Sequence, residues 1–227
     1  MKPRDSVRAG GSLEPATGRL CLRRPVPEIE IAAAYLDDAV SAHLAGRFEQ
    51  AKELINRANM PPFGSAIREW TESLWGKSSQ YVQYRLVAGA PAVLRAGERK
   101  PERMPTSEEK RLLHQRDGYR CRFCGIPVIR GEIRKKLRSL YPDVIPWGKA
   151  NISQHAAFQA MWAQYDHILP HARGGDNALN NIVVSCAPCN FGRMGYILDE
   201  VGLQDPMLRP PVQSSWDGLE RLLRQAK

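Results

Sequence analysis

Apolar residues recur at helical spacing through the N-terminal part of the chain. Ala34 and Tyr35 lie three and four positions after Ile31, and similar spacing resumes after a break at Gly46. Because a helix completes a turn in about 3.6 residues, each stretch would present one apolar stripe. The pattern predicts a helical hairpin over residues 29–58, whose apolar face another part of the chain must cover.

Breaks in this periodicity divide the rest of the chain. The first residues are rich in Gly, Pro and Arg without a periodic pattern, which predicts a flexible arm. A third helix is predicted over residues 65–75, and repeated Gly and Pro then indicate a linker. We therefore predict a flexible basic arm at 1–26, a helical region at 27–85, a linker at 86–105, a domain at 106–202 with a helical insertion at 126–165, and a C-terminal linker and helix at 203–227.

A capping signal begins at Thr106. Thr106 and Glu109 have the spacing of a capping box, in which each side chain accepts a hydrogen bond from the other residue's backbone amide. The polar stretch that follows predicts a helix ending at Asp117 and Gly118. A turn with the first Cys-x-x-Cys pair comes directly after it.

The positive charge of the chain is concentrated in one segment. The net charge is +9, and residues 95–138 contain 14 Lys and Arg against 6 Asp and Glu. Such a segment attracts a polyanion, most commonly nucleic acid, although an ordinary solvated basic surface would give the same count. No apolar run of about 18 residues and no secretory leader is present, so we expect no membrane contact and a cytoplasmic location.

Four of the five cysteines form two Cys-x-x-Cys pairs, Cys121 with Cys124 and Cys186 with Cys189. Each such turn directs two sulfurs to one point, and two turns complete the tetrahedron of a structural zinc site. Chance pairs or redox dithiols are the alternatives. A four-sulfur site has no open position, so this zinc would not be the catalyst. Cys21 is interpreted as a bystander thiol.

The segment "YDHILPHARGGDNALNNIVVSCAPCNFGR" combines several polar residues at characteristic spacing. Asp166 and His167 precede a predicted loop, Asn181 lies fourteen residues after His167, and Asn190 nine residues later. This arrangement resembles the HNH endonuclease motif of the ββα-metal, or His-Me finger, nucleases, and "RDGYRCRFCG" upstream is similar to their zinc-bearing branch. The resemblance implies two strands followed by a helix. The expected fold class is α+β and mostly helical, with an N-terminal helical region before a ββα-metal HNH domain that has a four-cysteine zinc site and a helical insertion.

The residues of this motif suit hydrolysis of a phosphodiester. Neutral His167 has a pKa suited to accepting the proton of an attacking water. Asp166 and Asn190 offer oxygen atoms of the kind that Mg²⁺ or Mn²⁺ binds, and such a cation stabilises charge on the phosphate and the departing oxygen. Adjacent strand residues point to opposite faces, so either a local distortion brings Asp166 and His167 to one site or Asp166 acts through a water. The resemblance implies the distortion.

Three further residues have candidate roles around this motif. Asn181 is expected to hydrogen-bond the loop backbone near His167 and to fix the angle of the imidazole. Arg193 lies one helical turn after Asn190 and is a candidate for contacting the phosphate, with a plain surface arginine as the alternative. His171, in the loop, is a further candidate for binding substrate.

The resemblance implies a metal-dependent endonuclease that hydrolyses DNA, with RNA not excluded, in a setting such as bacterial antiviral defence or restriction. The alternative is a catalytically silent, zinc-stabilised nucleic-acid-binding module, whose charge and cysteines would look the same. A third interpretation gives the N-terminal helices the main role, as a surface for a partner protein.

Overall fold

The computed structural model describes residues 18–75, 79–102 and 104–224. Over these residues the chain forms eight α-helices and one antiparallel sheet of two strands, which confirms the predicted α+β, mostly helical class. No helix in this described part combines the length and apolarity that a membrane crossing requires. The helices are α1 (Glu28–Leu44), α2 (Phe48–Arg57), α3 (Phe63–Ser73), α4 (Ser107–Asp117), α5 (Gly131–Leu140), α6 (Ala156–Ala160), α7 (Ala187–Arg193) and α8 (Arg221–Arg224), and the strands are β1 (Ala163–His167) and β2 (Ile182–Cys186).

Helices α1 and α2 form the hairpin that the apolar spacing predicts. Ile29, Leu36 and Val40 of α1 and Ala51 and Ile55 of α2 are all fully buried. The two helices pack against each other, and α3 packs against α1. The apolar stripes therefore form the core of this region.

The N-terminal helices share one hydrophobic core with the rest of the molecule. Helix α3 packs against α6, where Trp70 and Phe158 are both buried. His155, the N-cap of α6, has its Nε2 atom 3.1 Å from the carbonyl oxygen of Ile55. The division of the chain at residues 86–105 remains a prediction, and these contacts join the parts on either side of it.

Helix α4 begins and ends as its sequence predicts. Thr106 Oγ1 accepts a hydrogen bond from the Glu109 amide at 3.2 Å, and Glu109 Oε2 accepts one from the Thr106 amide at 2.6 Å. The helix ends at Gly118, whose φ of 66° is a left-handed conformation that favours glycine. Asp117, fully buried, accepts a hydrogen bond from the amide of Val184 at 2.8 Å and so joins α4 to β2.

The two strands and α7 make a β-β-α unit. Strands β1 and β2 are antiparallel, with Ala163 opposite Cys186 and His167 opposite Ile182. Helix α7 begins directly after β2 and packs against both strands. All five residues of β2 are buried, so the sheet is covered on both faces.

The insertion contains α5 and α6, but its second helix is shorter than the sequence predicts. The pattern "ISQHAAFQAMWAQ" indicates a helix through residue 164, whereas α6 ends at Ala160 and β1 begins at Ala163. The backbone of this segment bonds to Ile129 instead: Ile129 donates to Met161 at 2.7 Å and accepts from Ala163 at 2.9 Å. This long-range pairing ends the helix.

Both ends of the described chain pack onto the body. Residues 1–17 of the predicted flexible arm lie outside the described residues, and residues 18–26 are not a free arm, since Leu22 is buried and the Arg19 amide donates to Gly202 at 3.1 Å. At the C-terminus, Leu219 and Leu222 are buried, and Trp216 Nε1 donates to the carbonyl of Val128 at 3.2 Å. The predicted terminal helix is described only as the single turn α8.

Candidate active site and four-cysteine cluster

The two Cys-x-x-Cys pairs meet in one cluster. Cys121 and Cys124 lie in the turn after α4, Cys186 ends β2, and Cys189 lies in α7. Their four sulfur atoms are within 4.8 Å of one another, with Cys124 and Cys186 at 3.6 Å, and none forms a disulfide. A tetrahedral ion with metal–sulfur bonds of about 2.3 Å requires sulfur atoms about 3.8 Å apart, so this geometry suits such an ion.

A cation bound in the cluster would have to take the place of the thiol protons. Burial, before any other cause, raises the pKa of the Cys186 thiol well above its ordinary value. A metal ion reverses this effect, because a coordinated thiol is deprotonated. The cluster joins the turn after α4 to β2 and α7, and so holds together the elements around the Asp-His pair.

A cavity of about 430 Å³ lies between β1 and the C-terminal half of α7. Asp166, His167 and Asn190 line it, together with His171 from the loop after β1. Three of the four predicted catalytic residues therefore share one cavity.

The tautomer of His167 is fixed by a neighbouring residue that the sequence motif does not reveal. Its Nε2 atom lies 2.9 Å from Oδ1 of Asn177. An amide oxygen only accepts hydrogen bonds, so Nε2 carries the proton and the Nδ1 lone pair is the basic one. Nδ1 makes no hydrogen bond to any described residue. Burial lowers the pKa of His167 and so favours the neutral ring, an effect that the Asn177 hydrogen bond opposes.

Asn177 is the functional residue that the spacing analysis missed. It lies ten residues after His167, in the polar stretch "GGDNALNN", where Asn180 and Asn181 offered equivalent amides. The neighbouring Asp176 accepts a hydrogen bond from the Ala178 amide at 3.2 Å, as in an Asx turn. The Asp-Asn pair was therefore the available signal for an ordered turn.

Asn181 lies where the sequence predicts, against the loop backbone. Its Oδ1 accepts from the Leu169 amide at 2.8 Å, and its Nδ2 donates to the Asp176 carbonyl at 2.8 Å and to the Leu169 carbonyl at 3.3 Å. Gly175 packs closely against the backbone of Leu169, since a Cβ added at Gly175 would be 1.9 Å from the Leu169 carbonyl oxygen. Asn181 thus fixes the loop that carries Asn177, and through it the imidazole.

Arg193 differs from the expectation of a residue free to contact phosphate. Its side chain is 1% exposed and forms an ion pair with Asp166, in which Nε lies 3.0 Å from Oδ2 and Nη2 contacts Oδ1. It also donates to the backbone carbonyls of His167 and Tyr196, at 2.5 Å and 2.7 Å. Burial raises the pKa of Asp166, and the guanidinium of Arg193 opposes that rise. The spacing between Asn190 and Arg193 could not predict this ion pair, because both residues lie on α7 and Asp166 lies on β1.

Residues of the predicted linker form another part of the cavity wall. Arg99 and Met104 line the cavity, and the Leu94 amide donates to the Ala172 carbonyl at 2.8 Å. The guanidinium of Arg99 donates to the Leu94 carbonyl and forms no ion pair with a described residue. Nε2 of His171 lies 2.8 Å from the Lys100 carbonyl, so this histidine is tied to the same segment.

Asn190 lines the cavity and is half-buried. Its carboxamide makes no side-chain hydrogen bond within the described part of the chain. His114 and His155 lie outside the cavity and are buried. The cavity therefore brings together an imidazole, a carboxylate and an amide whose oxygen atom is available.

The comparisons with known proteins address this same part of the chain. Residues 156–201 match a family model described as HNH endonuclease. No curated protein and no solved structure matches the chain significantly. The matched segment contains β1, β2, α7 and every cavity residue from His167 to Gly195. Residues 156–201 are therefore similar to the HNH endonuclease family, which is of nuclease type and implies a nucleic-acid substrate, and the four-cysteine cluster is compatible with the zinc-bearing branch of that family.

Proposed function

We propose that this protein is a metal-dependent endonuclease that hydrolyses phosphodiester bonds of DNA. The observation that carries the proposal is the shared cavity of Asp166, His167 and Asn190, in which Nε2 of His167 bonds to Asn177 and Nδ1 has no hydrogen-bonding partner among the described residues. An imidazole kept neutral by burial is suited to act as a general base.

The proposed reaction begins when Nδ1 of His167 takes a proton from a water molecule. The water oxygen attacks phosphorus, and the bond from phosphorus to the 3′-oxygen breaks. The departing oxygen takes a proton from a solvent water to become a hydroxyl, and the His167 imidazolium returns its proton to solvent. The products are a 5′-phosphate and a 3′-hydroxyl. Asn177 orients the ring, and Asn181 holds the loop that carries Asn177.

Asp166 and Asn190 would hold the catalytic Mg²⁺ or Mn²⁺, through oxygen atoms of the kind these hard cations prefer. When bound, the cation supplies charge neutralisation at the phosphate and at the departing oxygen. The Arg193 ion pair is compatible with this role, because two carboxylate oxygens offer about four lone-pair sites and a bidentate arginine uses two. Asp166 lines the cavity while it is paired.

The arginine side chain that contacts the substrate phosphate is proposed to be Arg99, in place of Arg193. Arg99 lines the cavity without an acidic partner among the described residues, whereas Arg193 is buried. His171 stays a proposed substrate contact, with its ring centroid 5.9 Å from that of His167. The cysteine cluster is proposed to hold structural Zn²⁺, since four sulfur ligands leave no open position.

Nicking of supercoiled plasmid in Mg²⁺ or Mn²⁺ tests the proposal. We expect cleavage by the wild-type protein, none by His167→Ala, and wild-type rates for His43→Ala, an equal truncation on α1. Circular dichroism and metal content should be the same in all three proteins. Folded, metal-loaded wild-type protein that nicks nothing in either cation would favour the alternative, a silent nucleic-acid-binding module.

The biological setting is a further part of the proposal. We propose that the protein acts in the cytoplasm in bacterial defence or restriction, as the family resemblance suggests. Expression of the wild-type gene should reduce phage plaque formation, and His167→Ala should not. A partner on the N-terminal helices is also proposed; Phe48 is 56% exposed there.

A further inference from the structure

A second cavity, of about 420 Å³, lies on the helical insertion, outside the site described above. Its charged residues are all cations, and none of the described residues that line it is acidic. They are Arg134, Lys135 and Arg138 of α5, joined by Ser139, Pro142 and Trp147.

Arg134 is a buried cation with an unused hydrogen-bond donor. The residue is 7% exposed, and its Nε atom is buried without a hydrogen-bond partner. Its guanidinium lies over Trp147, 3.4 Å from the ring centroid, and 5.4 Å from the centroid of Trp162. Burial lowers its pKa to about 10, which leaves it charged at pH 7. Stacking holds the plane of the guanidinium, and its two terminal NH₂ groups, which bond to no described residue, are the donors that an anion could reach.

The cations of α5 differ from the other cations of the basic segment 95–138. Arg134, Lys135, Lys136 and Arg138 form no ion pair with any residue that the structure describes. Most of the remaining basic residues there do form ion pairs: Lys100 with Asp176, Arg111 with Glu108, Arg116 and Arg122 with Asp117, Arg120 with Glu30, and Arg130 with Glu220. Four of the cations without an ion pair therefore lie together on α5, and the others among the described residues of the segment are Arg95, Arg99 and Lys110.

A row of aromatic rings connects this cavity with the active-site cavity. Trp147, beneath Arg134, contacts Trp162 edge-on at a centroid distance of 6.1 Å. Trp162 contacts Phe191 at 6.3 Å, and Phe191 lines the cavity that contains His167. A polyanion bound at His167 and extending along this row would carry its negative charge towards α5.

We propose that the cavity formed by Arg134, Lys135 and Arg138 binds a backbone phosphate of the nucleic acid held in the active site. An arginine fork matches two phosphate oxygens, and Lys135 and Arg138 supply the remaining charge. That this phosphate belongs to the same nucleic acid that is cleaved at His167 rests on the proposed nuclease function. The contact is independent of base sequence. It increases the affinity for nucleic acid and fixes the position of the protein along it.

The test compares two variants of equal charge change. Lys135→Gln/Arg138→Gln removes two exposed cations of the cavity. Arg47→Gln/Arg57→Gln removes two exposed cations that line neither cavity, Arg47 as the N-cap of α2 and Arg57 as its last residue. Each is made in the His167→Ala background, and binding of a short DNA duplex is measured by fluorescence anisotropy over a range of salt concentrations. Arg134 is left in place because its burial makes misfolding a competing explanation.

We expect the cavity variant to bind more weakly and the slope of log K against log salt to become shallower by about 0.9 per lost phosphate contact. The α2 control should keep the wild-type slope. With His167 present, the cavity variant should raise KM and keep kcat, because the contact is made equally in the ground and transition states. Equal slopes for the two variants would overturn the inference.

The outcomes separate this inference from the proposed function. If the wild-type protein cuts DNA but both variants show the same salt slope for DNA binding, the phosphate site is contradicted and the nuclease function is not. A protein that never cuts, yet loses DNA affinity only in the cavity variant, keeps the phosphate site and contradicts the nuclease. A wild-type protein without affinity for DNA contradicts both.

Discussion

Asp166 of β1 and Arg193 of α7 form a bidentate ion pair that is almost entirely buried, with side-chain exposures of 6% and 1%. The pair joins two elements 27 residues apart in sequence, next to the imidazole of His167. The same guanidinium also holds the His167 carbonyl. The ion pair therefore fixes both the carboxylate and the backbone of the Asp-His motif.

Removal of one partner of this pair should be costly. Arg193→Met leaves the Asp166 carboxylate buried without a counter-charge, and we expect a loss of about 3–5 kcal/mol in the free energy of unfolding. The double variant Asp166→Asn/Arg193→Met should recover much of that loss, because the uncompensated charge is gone. Urea denaturation of the four proteins of this cycle measures the coupling. Additive single effects would contradict a direct interaction.

The elements that the sequence predicts best are those fixed by neighbouring residues. Thr106 and Glu109 are three residues apart, and their capping box has the predicted hydrogen bonds. The two Cys-x-x-Cys turns are equally local, and their meeting in one cluster followed from the geometry that a tetrahedral ion requires.

The features that the sequence could not predict depend on distant contacts. The spacing to Asn190 predicts a phosphate contact for Arg193, whereas its burial is set by Asp166 on another element. The predicted linker forms part of the cavity wall because the backbone of Leu94 bonds to Ala172. Neither pairing has a local sequence signal.

The pH profile of cleavage should reveal the link between Asn177 and His167. Burial lowers the pKa of His167 below its ordinary 6.5, so the acidic limb of kcat/KM should lie below pH 6.5. In Asn177→Asp a carboxylate accepts the hydrogen bond from Nε2, which stabilises the imidazolium and raises that pKa. The limb should move to higher pH. A uniform loss of rate with an unmoved limb would show that Asn177 does not act through His167.

Acid should destabilise the protein through its buried histidines. His155 is fully buried, and burial lowers its pKa to about 4. The unfolded chain gains a proton near pH 6.5 and the folded protein only near pH 4, so stability is complete above pH 6.5 and falls between these values. The fall is at most about 1.4 kcal/mol per pH unit for one histidine. His155→Gln should show a shallower slope in urea denaturation at several pH values; parallel curves would contradict this origin.

Loss of one cysteine of the cluster should unfold the β-β-α unit. Cys121→Ser removes a sulfur ligand, and metal binding contributes directly to folding at such sites. We expect loss of bound metal, measured by inductively coupled plasma mass spectrometry, and a lower melting temperature. Cys21→Ser is the matched control, because Cys21 lies outside the four-sulfur cluster and its change should leave the metal content at the wild-type value. A stable, metal-free and active Cys121→Ser protein would contradict the structural role.

Gly175 should be intolerant of even one methyl group. A Cβ at this position would lie 1.9 Å from the Leu169 carbonyl oxygen and 2.9 Å from Nδ2 of Asn181, so the loop that carries Asn177 must move. We expect Gly175→Ala to cost about 1–3 kcal/mol of unfolding free energy, as overpacking does. Plasmid nicking should fall further than that loss explains, because the imidazole of His167 loses its fixed angle, while metal content stays unchanged. Gly97→Ala is the matched control, since no atom lies within 4 Å of its added Cβ. Wild-type nicking by Gly175→Ala would mean that the Asn181 contacts do not position the base.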